Sequence, residues 1–213
     1  MKLQRQAMYK ERQQQILRVA ESLLLENQNF TLDEIAKELD LAKGTLYKHF
    51  ASKNELLMHL IIENESNVLA ISKQYSNNIK EYIPRYMLYH LNDPKKAIIL
   101  HQIEEQLTMT VIHSNATFDE LYQIRQERIM AIRDMIEQYL KEMNYEISIR
   151  DYSSYVWSLT FGACLLLNSS YYQRSIGSRD KLINLYIHQA FAFPSNTCNF
   201  TDESNINSNS AQA

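Results

Sequence analysis

Residues 31–57 run TLDEIAKELDLAKGTLYKHFASKNELL, and their pattern is two short helices, a tight turn between them and the opening of a third. Thr31 is a good N-cap and Glu34 stands three residues on, the spacing at which a capping box satisfies two orphan backbone donors. Leu32, Ile35, Ala36 and Leu39 then share one helical face. Asp40 and Leu41 interrupt the pattern. A second helix of about two turns is predicted from Ala42, with Leu46 and Phe50 facing inward. A helix so short is marginal alone, so its apolar side must dock on neighbours while the other side stays free.

The free side carries Lys43, Gly44, Thr45, Tyr47, Lys48 and His49. These residues suit a phosphate backbone beside a major groove: lysine and an exposed helix N-terminus attract phosphate, hydroxyls donate to it, and glycine allows close approach. No acidic residue lies between Lys43 and Lys53. Ser52 is positioned to cap a further helix whose first turn contains Lys53, a cation where helices prefer an anion, and a bound phosphate would explain the misfit. Singly, Tyr47 and Lys48 are ordinary surface residues. Their common register behind a capped helix is what points to double-stranded DNA, with Thr31, Lys43, Gly44, Thr45, Tyr47, Lys48, His49 and Lys53 as the expected contacts.

The same run, above all K-G-T-L-Y-K-H-F followed by S-K-x-x-L-L, resembles the DNA-binding segment of the TetR family of bacterial transcriptional regulators (TetR/AcrR type). The likeness covers residues 9–60, and Leu41 departs from the small β-branched residue frequent in that turn. It implies an all-α chain, with a three-helix helix-turn-helix head at 1–51 and a larger helical regulatory and dimerisation domain at 52–193; from Pro194 the chain is rich in Asn, Ser and Thr with little to bury, so 194–213 is expected to be a disordered polar segment. It further implies a homodimeric repressor released by a small-molecule effector; no nucleophile motif or phosphate-cradling loop appears in the sequence, so no catalytic activity, metal or cofactor is expected.

Composition agrees with a helical chain. Glycine and proline number three each in 213 residues, far below the roughly 12% of ordinary usage, so tight turns are few. The net charge of −3 is unevenly spread: within residues 1–18 five basic residues oppose Glu11 alone, a local +4, and Lys43, Lys48 and Lys53 extend the basic region. Cys164 and Cys198 do not suggest a disulfide framework, and a reducing cytoplasm is the simplest setting. The longest nearly apolar run, 156–167, is too short to span a bilayer, so no membrane partner is expected.

Along the chain, helices are predicted at 9–27, from Ser52 to about Tyr75, at 79–91, from Asp93 through Ile112, from about 118 to Asn144, and at 148–172 and 178–193. The helix at 148–172 is apolar on more than one side and needs two partners. One is its own body. The other is a second copy of the chain, met through Trp157, Gly162, Ala163 and Leu166 and through Leu182, Leu185 and Tyr186 of the last helix, an arrangement that resembles the family's four-helix dimer interface. A twofold dimer presents two recognition helices to a near-palindromic site, which a single short helix could not read with useful specificity.

By the same resemblance an effector would bind among the middle helices, and Tyr86, Met87, His90, His101, Glu105, Tyr122, Arg125, Trp157 and Phe161 are the expected lining. The aromatic, sparsely charged stripe suits a largely apolar ligand. Arg125 is the one cation on its stripe, and it either pairs with Glu104 or Glu105 or meets an acidic group on the ligand. Two rival readings remain at the level of sequence. One is a DNA-binding regulator controlled by a protein partner. The other is a metal-dependent helical enzyme using His101 and Glu105, which share a helical face but lack the repeated Glu-x-x-His pairs such sites need.

Overall fold

The structure, a computed structural model, describes residues 2–110, 116–175 and 177–192. Ile112, Ser114 and Asn115 of the expected link, Ile176, Cys198 and the segment 194–213 lie outside the described residues. Among those described the chain is all-α, with helices α1 (Lys2–Glu26), α2 (Leu32–Glu38), α3 (Lys43–Tyr47), α4 (Lys53–Gln74), α5 (Ile79–Leu91), α6 (Pro94–Thr110), α7 (Ala116–Glu142), α8 (Ile149–Asn168), α9 (Ser170–Ser175) and α10 (Arg179–Phe191).

Local chemistry sets most of these limits. Thr31 accepts from the Glu34 amide while Glu34 accepts from the Thr31 amide, completing the capping box of α2. Ser52, Asn78 and Ser148 cap α4, α5 and α8 through their side-chain oxygens. The turn after α2 is a Schellman motif on a non-glycine residue. Asp40 takes φ 50°, its amide donates to the Lys37 carbonyl, and the Leu41 amide donates to that of Ala36. Asn144, at φ 53°, ends α7 in the same way, with Tyr145 reaching back to Leu140.

Three limits differ from expectation. α1 begins at Lys2 rather than at residue 9, because residues 4–10 are all exposed and so carry no core signal. α3 is a five-residue helix followed by a turn rather than two full turns. The expected helix at 148–172 breaks at Ser169, whose extended backbone separates α8 from α9; Gln173 then donates to the orphaned Leu167 carbonyl at 2.6 Å.

Two cores result. The first joins α1, α2, α3 and the N-terminal half of α4 to one face of α6 (Ile99, Leu100, Ile103, Leu107) and to Phe118 and Leu121 of α7. The second joins Val68 of α4 to α5, the later part of α7, α8 and α10. α4 and α6 therefore run from the helix-turn-helix into the body. Lys96 of α6 adds a polar tie, donating to both oxygens of Glu21 on α1 at 2.7 Å with both side chains largely buried.

Candidate DNA-binding surface and effector cavity

α3 is held from behind by Leu46 and Phe50, both fully buried, and leaves Lys43, Gly44, Tyr47 and Lys48 exposed. A Cβ on Gly44 would meet no protein atom within 4 Å, so nothing inside the fold requires glycine there. Lys43 forms an exposed ion pair with Asp33, the kind that water and salt weaken. Thr31 is exposed at the start of α2 with its hydroxyl engaged by Glu34.

Two residues expected on this face turn inward. Lys53 donates to the carbonyls of Gln28 and Phe30 at 3.0 and 2.6 Å and lies 4.2 Å from the centre of the Phe30 ring. Burial pushes its pKa down. Those carbonyls account for its position in the first turn of α4 without a phosphate. His49 is half-buried and stacks on Tyr9 with ring centres 4.2 Å apart. Its Nδ1 is buried without a hydrogen bond, and burial, with Arg12 nearby, lowers its pKa. Tyr9 also donates to the Lys48 carbonyl at 3.1 Å, so α1 braces the end of α3. That role had no local sign in the sequence.

The second feature is a cavity of about 260 Å³ in the body. α4 contributes Ile61, Asn64 and Glu65, and α6 contributes Ala97, Leu100, His101, Glu104 and Glu105, both sets at the three- and four-residue spacing of one helical face. Tyr86 and His90 of α5, Arg125 and Arg128 of α7, and Trp157 and Phe161 of α8 close it. A smaller space of about 90 Å³ adjoins it, sharing Tyr86, Arg128 and Trp157 and otherwise largely apolar.

Seven of the nine residues expected from sequence, Arg125 among them, thus border one space. Met87 does not: it is fully buried in the body core. Tyr122 does not either, being 54% exposed on the outer side of α7. Arg125 pairs with neither a free space nor Glu105. Its Nη1 and Nη2 donate to the two oxygens of Glu104, and Nη2 also donates to Glu65 Oε1 at 3.0 Å. Burial opposes the Arg125 charge, but these carboxylates outweigh it and raise its pKa. Arg128 Nη1 stands 3.3 Å from Glu65 Oε2 without a hydrogen bond. Glu65 and Arg128 escaped sequence reading because charges on long helices are usually solvated; their only available sign was helical register with Ile61 and Arg125.

The cavity's rings are packed against one another. Trp157 and Phe161 stack with centres 4.6 Å apart, and His101 lies edge-on to both. His90 meets Tyr86, Tyr89 and Phe161. Burial pushes its pKa down to about 4, the opposing pull of Glu65 being smaller.

A third feature is the outer face of α8 and α10, where Trp157, Leu165 and Leu185 are 41, 59 and 61% exposed. Gly162 opens onto free space, and Leu166, Leu182 and Tyr186 are half-buried. Ala163 differs from expectation: it is fully buried in the body core, where its small side chain faces α8's own neighbours.

An all-α chain with this capped helix-turn-helix on a larger helical body is a helix-turn-helix DNA-binding transcriptional regulator. Residues 16–60 match the family described as bacterial regulatory proteins, tetR family. An HTH-type transcriptional regulator of Staphylococcus aureus (strain bovine RF122 / ET3-1) is 26% identical over 141 residues, covering 62% of this chain and 75% of that protein. One from strain USA300 is 30% identical over 121 residues, 53% of this chain and 64% of the other. Among solved structures, a tetR-family regulatory protein from Rhodococcus RHA1 superposes with TM-score 0.65 at 19% identity, over 84% of this chain and 95% of that one. The fatty acid degradation regulator FadR from Bacillus halodurans superposes with TM-score 0.61 at 14% identity, over 84% and 94%. The family match, the curated regulators and the structural neighbours together support a TetR-family transcriptional regulator. Its family and fold are those of regulators rather than enzymes, and among the described residues no helix is long and apolar enough to cross a membrane.

Proposed function

We propose that this regulator is a cytoplasmic, effector-released repressor, binding a near-palindromic operator as a homodimer through the exposed side of α3. The head comprises residues 1–51 and the regulatory body 52–193, with the polar segment 194–213 outside both. Lys43, Thr45, Tyr47 and Lys48 contact DNA, Gly44 lets a phosphate approach the backbone, and Thr31 stands at the edge of that contact. His49 and Lys53 hold the reading element in place from behind. Dimerisation covers Trp157, Gly162, Leu165 and Leu185, taking exposed apolar side chains out of water.

The observation that carries the effector reading is that the helices lining the cavity also build the head's core. Ile61 and Leu100 belong to both, and Lys96, one residue before Ala97 of the cavity wall, holds Glu21 of α1. A small, largely apolar molecule that spreads α4 from α6 would therefore shift α1, and with it the spacing of the two heads. Release follows if the ligand prefers the conformation that fits DNA poorly.

The test is to mix purified protein with fragmented DNA of the source organism and sequence what is retained, alongside Tyr47→Ala/Lys48→Ala. One or a few near-palindromic sites, lost in the variant, are expected. No enrichment at low salt by folded wild type would refute the operator reading.

A further inference from the structure

The charges of the cavity are unequally engaged. Both terminal nitrogens of Arg125 already donate to carboxylates, so this cation is not held in reserve for an acidic ligand. Acceptor capacity is in surplus. Glu65 Oε2 is buried and accepts no hydrogen bond, and Glu105 borders the space in addition to the paired Glu104. Three carboxylates thus face two guanidiniums, each of which stands beside a carboxylate. An anion entering here would add like charge to that surplus; a cation would relieve it.

The walls favour the same ligand. The stacked Trp157 and Phe161 present aromatic surface, which attracts a cation electrostatically as well as apolar groups. Trp157 also borders the adjoining apolar space, together with Tyr82, Ile83 and Val156, giving an apolar tail somewhere to go.

We propose that the effector is a monocation, a protonated amine or amidine on an apolar, ring-bearing tail. Its N–H donates to Glu65 Oε2 with Glu105 beside it, and its tail lies along Trp157 and Phe161 toward the smaller space. This rests on the effector reading above and gives that ligand its charge.

Trp157 is the only tryptophan in the chain and borders this cavity, so at fixed protein concentration, with dimerisation held constant, its fluorescence reports a guest there. Three probes of one skeleton separate charge from shape: 4-phenylbutylamine, 4-phenylbutanol and 4-phenylbutanoate, each titrated into the full-length protein with Trp157 emission and operator retention followed together. The amine is expected to bind at least about tenfold more tightly than the other two, with the preference lost in Glu65→Gln/Glu105→Gln. Should the double variant fail to fold, Glu105→Gln alone, at an exposed position, is expected to reduce the preference. Equal or tighter binding of the butanoate would overturn the charge assignment and leave the effector cavity standing. If none of the three at millimolar concentration moves Trp157 emission or loosens DNA, the effector reading fails and this inference with it.

Discussion

The two cores of this chain are built differently. The one beneath the helix-turn-helix holds only aliphatic side chains, methionine and phenylalanine, with Ile16, Ile35, Leu46 and Phe50 at zero exposure. The one in the body is rich in tyrosine and admits Cys164, with His90, Thr160 and Ser72 buried nearby. Buried tyrosines must find acceptors: Tyr152 donates to the Ala190 carbonyl, and Tyr139 and Tyr145 both reach that of Phe191, so three rings tie down the end of α10. Large rings oriented by polar tips, with ion pairs among them, border spaces of about 260 and 90 Å³. The head is built to hold one shape, the body to accommodate a guest.

Emptying the aliphatic core should therefore be the most damaging change. Phe50→Ala is expected to cost about 3–5 kcal/mol and to abolish operator binding, as measured by urea unfolding and DNA retention. An effect below about 1 kcal/mol would mean the head core is as forgiving as the body.

The body should instead show its polarity in a pH dependence. His90 is buried beside Tyr86 and Phe161, with Glu65 and Arg128 the nearest charges acting on it, and its folded pKa is about 4. The unfolded chain binds this proton from about pH 6.5 downward and the folded chain does not, so stability falls as pH drops from about 6.5 to about 4 and levels off below. The loss over that window is about 3 kcal/mol from this group. His49 shifts in the same direction, so His90→Gln should reduce the slope without removing it; unfolding midpoints at pH 7 and 4.5 decide.

The smallest effect concerns the turn. Asp40 sits at φ 50°, a region where a side chain is strained, so Asp40→Gly should stabilise by roughly 0.5 kcal/mol. A loss of melting temperature on this substitution would show that the aspartate side chain contributes more than its strain costs.

How much of this was legible in the sequence follows from the range of each interaction. Thr31 with Glu34, Ser52 with the α4 amides, and the apolar spacing of Leu32 to Phe50 are all local, and each is realised as read. The break at Ser169 had only three consecutive polar residues, 168–170, to announce it. The cavity was half legible because aromatic stripes mark interior faces, whereas the partners that define its charge come from distant helices. Glu65 is 60 residues from Arg125, and no periodicity links them. Lys53 misled for the same reason: its helix-terminal position is visible in sequence, but the Gln28 and Phe30 carbonyls that hold it come from the link between α1 and α2, 25 and 23 residues away.

The central claim is that the guest space of the body is mechanically joined to the head, and it can be tested without knowing the guest. Ala97 is buried, lines the cavity and lies beside Lys96 on α6, so Ala97→Phe would occupy the space with a side chain. Operator affinity of Ala97→Phe, measured by fluorescence anisotropy on the recovered site, should fall by about tenfold or more while the thermal transition stays cooperative. A folded Ala97→Phe that binds its operator as wild type does, although its cavity no longer admits 4-phenylbutylamine, would contradict the account.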